Sequence, residues 1–458
     1  MSGYQKSKNY SMDMCEGSIL YKLLLFSLPL IASSVLQLFF NAADVVVVGR
    51  FAGDNSLAAV GSNGSLINLL TNIFMGLSVG ANVLVARYFA AKQEQDLRKT
   101  VHTAITVSIV CGIVMAIIGT VAAKELLILM QSPKEVIGLA TIYLRIYFLG
   151  MPATMIYNFG AAILRGIGDT KRPLYYLTFA GVVNVILNLI FVILFKMDVA
   201  GVAIATVISQ CISAILILRC LAKEESGIRL EKQYLGIDKA ILLRILQIGI
   251  PAGLQGSLFS LSNVVIQSSV NSFGAIVVAG NSAACNIEGF VYVAMNAFSQ
   301  AIVAFVSQNI GAGKYERIHK IVVTTQLCVL AVGLILGNAV YMLGEPLLHL
   351  YSNSEIVIAA GVKRLSIICT TYALCGMMDC MVGALRGLGY SVMPMIVSLL
   401  GACAFRMAWI FVFFQIERFH TIDTIYFAYP ISWTLTFSVH VICYLIVRRI
   451  KVPASALC

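Results

Sequence analysis

Charged residues are scarce in this sequence: only 12% of the 458 residues are Asp, Glu, Lys or Arg, where a soluble domain carries roughly a quarter. With 59% hydrophobic residues and a mean hydropathy of +0.90, a water-facing surface cannot be assembled, which excludes a soluble globular protein. The 12 cysteines are scattered, mostly within apolar runs, without a Cys-x-x-Cys pair or a metal-type Cys/His spacing. Neither a disulfide framework nor a zinc site is therefore encoded. The five histidines stand far apart. A formal net charge of +11 invites a nucleic-acid reading, but the dense basic tract interleaved with aromatics that such binding needs is missing. The N-terminus is polar through Ser18 and no small-residue cleavage site follows the first apolar run, so no signal peptide is expected.

What the chain has instead is long apolar runs, continuous and without the period-two alternation of barrel strands. A helical crossing needs about 20 such residues. The runs predict twelve spans, at 22–48, 57–86, 101–122, 136–164, 174–195, 199–221, 241–270, 277–307, 320–343, 356–385, 392–415 and 425–447. The expected fold class is an all-α integral membrane protein. The second and eighth spans are unusually long and hold several glycines, so tilting or bending is expected there. Most basic residues fall in connectors on the side of the N-terminus, among them Lys6, Lys8, Arg87, Arg98, Arg165, Arg172, Arg244, Lys314, Arg386 and Lys451; the other side has few, such as Arg50, Lys196 and Arg418. The positive-inside bias then places both termini in the cytoplasm of a multi-pass protein of the cell (inner or plasma) membrane.

The two halves repeat. Leu164-Arg165-Gly166-Ile167-Gly168 followed by Pro173 recurs as Leu385-Arg386-Gly387-Leu388-Gly389 followed by Pro394. At almost the same spacing Pro29 matches Pro251, Asn41 matches Asn263, and Lys92 matches Lys314. A six-helix unit has been duplicated. Because six is even, both copies enter from the same side and are related by a pseudo-twofold axis along the membrane normal. The expected organisation is an N-terminal six-helix bundle at 1–222, a cytoplasmic linker at 223–240 and a C-terminal six-helix bundle at 241–458.

A charge at mid-bilayer costs about 2.5–3.5 kcal/mol on insertion scales, so each one needs a reason. The deep ones are Asp44, Arg145, Glu288, Asp379 and Arg406; Lys363 and Arg364 lie near a span end, where they can snorkel. Gln37, Asn41 and Asp44 share a face of the first helix, and Pro29 removes a backbone hydrogen bond that would otherwise keep that helix straight. Asn184 and Asn188 are an i, i+4 pair in the fifth span; Thr206, Gln210 and Ser213 share a face of the sixth. If these stripes converge, they form an oxygen-lined pocket around one carboxylate, suited to Na⁺ or to a proton. The other reading of Asp44 is a wet interfacial residue that caps helix packing. In the second half Arg406 takes the place of Asn184, so the ion pocket is expected in the N-terminal half alone. Arg406 is expected to pair with Asp379 or Glu288. Glu288 also shares a stripe with Asn281, Tyr292 and Asn296, and a carboxylate beside an aromatic is what an organic cation seeks. Substrate binding and structural pairing both stand for Glu288, Tyr292, Asp379 and Arg406. Arg145 reads as a packing or interface residue.

Two motifs fail on context. Gly76-Leu77-Ser78-Val79-Gly80 has the spacing of a nucleophile elbow, but it lies within a long apolar helix rather than a strand-to-helix turn; its glycines read as a helix-packing face. Gly311-Ala312-Gly313-Lys314 resembles a phosphate loop, yet Gln308 and Tyr315 occupy positions that need Gly and Ser or Thr. Neither an ATP site nor a hydrolase is supported, no enzyme is expected, and no cofactor is needed beyond a coupling ion.

Taken together, these features resemble the multidrug and toxic compound extrusion (MATE) family of cation-coupled exporters, over nearly the whole chain. The likeness is carried by the two Leu-Arg-Gly-x-Gly loops, by Gln308-Asn309-Ile310-Gly311-Ala312-Gly313-Lys314, by Gly201-Val202-Ala203-Ile204-Ala205-Thr206, and by Tyr429-Pro430-Ile431-Ser432-Trp433. The resemblance implies a V-shaped pair of bundles that export organic cations and amphiphilic drugs against Na⁺ or H⁺ by alternating access. It implies a cation site at Asp44, Asn184, Asn188 and Thr206, with Gln37, Asn41 and Gln210 in the adjoining polar cavity and Pro29 as the bending residue. Some members carry a second aspartate where this chain has Asn188, a departure that weakens a Na⁺ site and leaves Asp44 able to take a proton. A seventh-helix glutamate used by another branch has no counterpart; Gln255, Asn263 and Gln267 stand there instead. The expected partners are the drug substrates and the lipid bilayer, with no nucleic acid, and the protein is expected to be a monomer. The rival reading is a flippase for lipid-linked oligosaccharides, which predicts a basic central cavity; Arg406 is the one deep arginine with a claim on that role.

Overall fold

Backbone amides find no water in hydrocarbon, so apolar runs satisfy them internally as helices. In a computed structural model, which describes residues 10–130, 134–224 and 227–449, no strand occurs among those residues. The first half comprises α1 (Ile19–Phe51), α2 (Asp54–Ala90), α3 (Glu94–Leu129), α4 (Lys134–Leu149), α5 (Met151–Gly166), α6 (Lys171–Leu189) and α7 (Asp198–Ala222). The second comprises α8 (Lys239–Asn271), α9 (Ala275–Gly311), α10 (Tyr315–Met342), the short α11 (Gly344–His349), α12 (Glu355–Gly387), α13 (Val392–Ser398), α14 (Phe405–Ala408) and α15 (Ile422–Arg449). Among the described residues eleven helices are long and apolar enough to cross a membrane, and counting the pair α4–α5, bent by 48°, as one span gives twelve. Side chains such as Val121, Ile215, Ile335 and Leu400 turn outward in the exposed belt that lipid would cover. Lys6, Lys8 and Lys451, both chain ends, and residues 225 and 226 of the expected linker lie outside the described residues.

The expected bend falls elsewhere than in the two longest spans. Both α2 and α9 run 37 residues without a break, about 55 Å at 1.5 Å per residue, and so tilt or protrude. The span read as 136–164 is the one that breaks, between Gly150 and Pro152: proline has no amide to donate back to the preceding turn. The fifth spans of both halves also leave regular geometry. After α6 comes a π-helical turn at Ile190–Leu194, and α13 continues through π-helical turns at Leu399–Ala404 and Trp409–Phe413 around α14. Such turns often accompany functional sites.

The halves meet along α2 and α8. A Cβ at Gly76 would lie 2.3 Å from the Gly253 amide nitrogen, and one at Gly80 would lie 2.5 Å from the Ile245 carbonyl oxygen. The Gly76–Gly80 face therefore has its partner in Gly249 and Gly253, and small residues let the two backbones touch. Gly253→Val is expected to force the helices apart at a cost of about 1–3 kcal/mol or more, seen as a lowered unfolding temperature in detergent; an unchanged unfolding curve would refute this contact.

At the end where residues 10–18 lie, polar bonds tie the halves together. The Met14 amide donates to Gln308 Oε1 at 3.2 Å, Gln308 Nε2 donates to the Gly166 carbonyl at 2.8 Å, and Asn309 Nδ2 donates to the Met14 carbonyl at 3.2 Å. Arg87 Nη2 reaches the Gly387 carbonyl at 3.3 Å, and Lys314 pairs with Glu16 at 2.9 Å. The linker docks on α3 through Arg98–Glu231, a Glu231 amide bond to His102, and an Asp238 amide bond to Thr103. Asp238 caps α8, and donation from the Ile241 amide holds its carboxyl below the usual range.

Helix α1 belongs to both halves. Up to the residue after the proline, Leu23, Phe26 and Leu30 join the core of the second half, with Phe26 edge-on to Phe305 at 5.8 Å between centroids. Beyond it, Val47 and Val48 join the core of the first. Pro29 thus sits in a helix whose two ends are anchored in different halves.

Candidate functional site

Three polar regions lie inside the bundle. The first gathers the N-terminal candidates. Asp44 is 9% exposed, Asn184 5% and Asn188 0%, so Asp44 is buried rather than wet. Asn188 Nδ2 donates to Asp44 Oδ1 and also lies 3.2 Å from Asn184 Oδ1; Asn184 Nδ2 donates to Thr206 Oγ1 at 3.3 Å. Helix α1 can come this close to α6 because residue 181 is glycine: a Cβ there would fall 1.9 Å from the Phe40 ring. Two acceptors on α6 and α7, Asn188 Oδ1 and Gln210 Oε1, are buried without a hydrogen-bond donor among the described residues. A carboxylate, neutral oxygens and orphaned acceptors make a donor set for a hard cation or a proton. Tyr143 and Tyr147 of α4, absent from the sequence reading, stand close enough to Asp44 to feel its charge.

The polar stripe of α1 divides. Asp44 faces this pocket, Gln37 lines a cavity between the halves, and Asn41 is exposed. That cavity, about 380 Å³, is walled by Leu30, Ser33, Ser34 and Gln37 of α1, by α2 and α5, and by α9 and the end of α12. Arg165 and Arg386, counted in the sequence among the connector charges, line it from the last turns of α5 and α12. They correct the reading that left Arg406 as the single deep arginine with a claim on a basic cavity.

The third region is a cavity of about 500 Å³ in the second half, lined by Glu288, Tyr292, Asp379 and Arg406 together, and by Asn263 and Gln267. Its pairing differs from expectation. Arg364, read as a snorkelling residue, is 5% exposed and forks onto Glu288: Nη2 to Oε1 at 2.5 Å and Nε to Oε2 at 3.2 Å, with Nη1 on Asn281 Oδ1 at 2.9 Å. Its neighbour Lys363, about 100° around the helix, is the one near the surface, paired with Asp423 at 2.8 Å. Arg406 pairs with neither Glu288 nor Asp379; its Nε donates to Ser432 Oγ at 2.8 Å and its guanidinium sits 4.3 Å from the Tyr429 ring centroid. Glu288 is already taken, and the aromatic face supplies Arg406 with the negative charge density that a carboxylate would have given. Asp379 lines the same cavity as Tyr292. Arg145 is exposed and donates to the Thr120 carbonyl at 3.2 Å, as an interface residue would. Glu345, His349 and Glu355 bring donor atoms within 4.8 Å of one another, all exposed; exposed acids commonly gather without an ion.

Comparison with known proteins agrees with this architecture. The sequence profile of the MatE family matches the chain twice, at residues 29–190 and 251–412, so that its two copies begin at Pro29 and Pro251. The chain is 29% identical over 382 residues to the probable multidrug resistance protein YoeA of Bacillus subtilis, covering 82% of each. It is 23% identical to the probable multidrug resistance protein NorM of Thermotoga maritima, covering 89% of each. Among solved structures, an outward-facing multidrug resistance MATE transporter of the MOP superfamily superposes with a TM-score of 0.89 over 98% of this chain and 99% of its own, at 19% identity.

Proposed function

The chain belongs to the MatE family, the multidrug and toxic compound extrusion transporters, and on that premise we propose that it exports organic cations and other amphiphilic drugs in exchange for inward-moving Na⁺ or H⁺. It is a multi-pass membrane transporter, not an enzyme. The observation that carries the coupling is Asp44: a single buried carboxylate, held by Asn188 beside unpaired acceptor oxygens, on a helix whose other end is anchored in the opposite half.

The steps follow from that helix. With the site empty, Asp44 is an uncompensated charge in a low-dielectric surrounding, which favours capture of a cation. Capture draws α1 toward Asn188 and Thr206. Because Pro29 leaves the α1 ladder one bond short, the strain is taken up there. The residues just beyond it, Ser33 and Gln37, form the wall of the central cavity, so a bend changes the cavity's shape and releases cargo. Release of the ion on the other side restores the charge and the cavity, and rocking of the halves along the α2–α8 contact alternates access. The cavity of the second half supplies a carboxylate, Asp379, beside Tyr292, Tyr372 and Trp433, a setting that suits a cationic ring.

The test is ethidium efflux from proteoliposomes under an imposed Na⁺ or H⁺ gradient. Efflux driven by one gradient and abolished by collapsing it is the expected result and names the ion. No efflux under either gradient from correctly inserted protein would overturn the reading.

A further inference from the structure

The central cavity is charged on one sign only. Among the described residues its walls carry two guanidinium groups, Arg165 and Arg386, and no carboxylate; the remaining polar lining is neutral, including Asn82, Asn158, Asn296 and Gln300. The two arginines are the repeat-equivalent residues of the Leu-Arg-Gly-x-Gly motifs, so one enters from each half, on either side of the pseudo-twofold axis.

Neither is neutralised by the protein. Among the described residues no carboxylate lies within 4.0 Å of either one. Arg386 Nη2 donates to Gln255 Oε1 at 2.9 Å, while its Nε is buried with no acceptor. Asp379 acts on Arg386 only through space. For Arg165 the interacting group is the neutral Tyr157, again through space, and that hydroxyl is spent on the Pro173 carbonyl at 3.0 Å. Two half-buried cations that line one cavity each lose hydration without gaining a carboxylate in contact, so an anion entering the cavity would be favoured. A low-dielectric wall focuses the positive field into the opening. The guanidinium fork matches the paired oxygens of a phosphate or a carboxylate.

We propose that Arg165 and Arg386 together form an anion-binding subsite on the pseudo-twofold axis, which takes a phosphate or carboxylate group of the transported molecule. The cargo is then an amphiphile that carries an acidic group, with its apolar part against Leu30, Met75, Val79 and Leu177. The assignment rests on the export reading only in calling the ligand cargo; the subsite itself needs no gradient. It also extends the substrate class beyond simple organic cations.

The probe is a matched pair, riboflavin and riboflavin 5′-phosphate, which differ by the phosphate alone. Binding is read from flavin fluorescence on purified full-length protein in neutral detergent at low ionic strength. Charge-assisted hydrogen bonds predict that wild type binds the phosphate at least about tenfold more tightly than the parent flavin. In Arg165→Gln and in Arg386→Gln that preference is expected to fall to about twofold or less, while the charge-keeping Arg165→Lys and Arg386→Lys retain part of it. Equal affinity for both flavins in wild type, which no folding defect in a variant can mimic, would overturn the proposal, as would a preference surviving in both Gln variants. Repeating the wild-type measurement in nanodiscs separates the sources of phosphate. A preference kept in both phosphatidylcholine and phosphatidylglycerol discs assigns the subsite to cargo; one lost only in phosphatidylglycerol assigns it to lipid headgroups and overturns the cargo assignment. Because the assay has no gradient, failure of coupled efflux leaves its outcome untouched.

Discussion

Asp44→Asn is expected to reduce gradient-driven ethidium efflux to the rate of protein-free liposomes, a loss of at least about tenfold, since a hydrogen bond to a charged group is worth about 1.5–3 kcal/mol and each 1.4 kcal/mol is a factor of ten. The substitution keeps the shape of the side chain and an acceptor oxygen for the Asn188 amide, so the pocket survives. What disappears is the charge. Na⁺ is then offered only neutral oxygens, from Thr206, Asn184 and Asn188, and a proton has no carboxylate to occupy. The protein should still unfold at or near its usual temperature, because removing a buried charge relieves desolvation as much as it removes attraction. Efflux in Asp44→Asn that still follows the imposed gradient would show that coupling resides elsewhere, and Asp379, a cavity-lining carboxylate without an ion pair among the described residues, would be the next residue to change.

The number of spans and the duplication were legible because they rest on signals that do not depend on packing: runs of apolar residues, and motifs such as Leu164-Arg165-Gly166 repeated as Leu385-Arg386-Gly387. Helical spacing put Asp44, the pair Asn184 and Asn188, and Thr206 on polar faces of three separate spans, but left open whether those faces converge; the four-residue site was implied by the family resemblance alone. Pairing across helices was not legible. Choosing Arg364 over Arg406 as the partner of Glu288 requires the rotation of α12 against α9, and hydropathy is almost insensitive to rotation. A clue lay in the dipeptide Lys363-Arg364, since adjacent helical residues point about 100° apart and so face different surroundings. Arg165 and Arg386 were hidden for a different reason. Each is followed at once by the glycine that ends its helix, and a charge at a helix end reads as a connector charge. Only the packing of α5 and α12 around the axis turns that end into a cavity wall. The break at Gly150 was written in the sequence as Gly-Met-Pro, but a proline near an apolar run's middle is also compatible with a mere kink.

Arg364→Met is expected to be the most destabilising of the substitutions considered, by about 3–5 kcal/mol, because it leaves Glu288 buried without its partner. The guanidinium holds both carboxylate oxygens and Asn281 Oδ1, and the same Asn281 oxygen accepts from the Tyr426 hydroxyl at 3.3 Å. One side chain thus ties α9, α12 and α15 together in the second half. Removing both charges should do far less harm: Glu288→Gln with Arg364→Met takes out the pair and its desolvation together, and buried pairs replaced by neutral groups of similar volume are often neutral in stability. A double-mutant cycle on thermal unfolding in detergent therefore predicts a coupling of more than about 1 kcal/mol between the two sites. The same cycle decides what Glu288 is for. With its charge already matched by Arg364 on both oxygens, Glu288 is not a free anion for a cationic cargo, so the double variant should recover gradient-driven ethidium efflux along with stability. Stability recovered without efflux would return Glu288 to the substrate path. A single Arg364→Met variant as stable as wild type would mean that the pair does not hold the second half together at all.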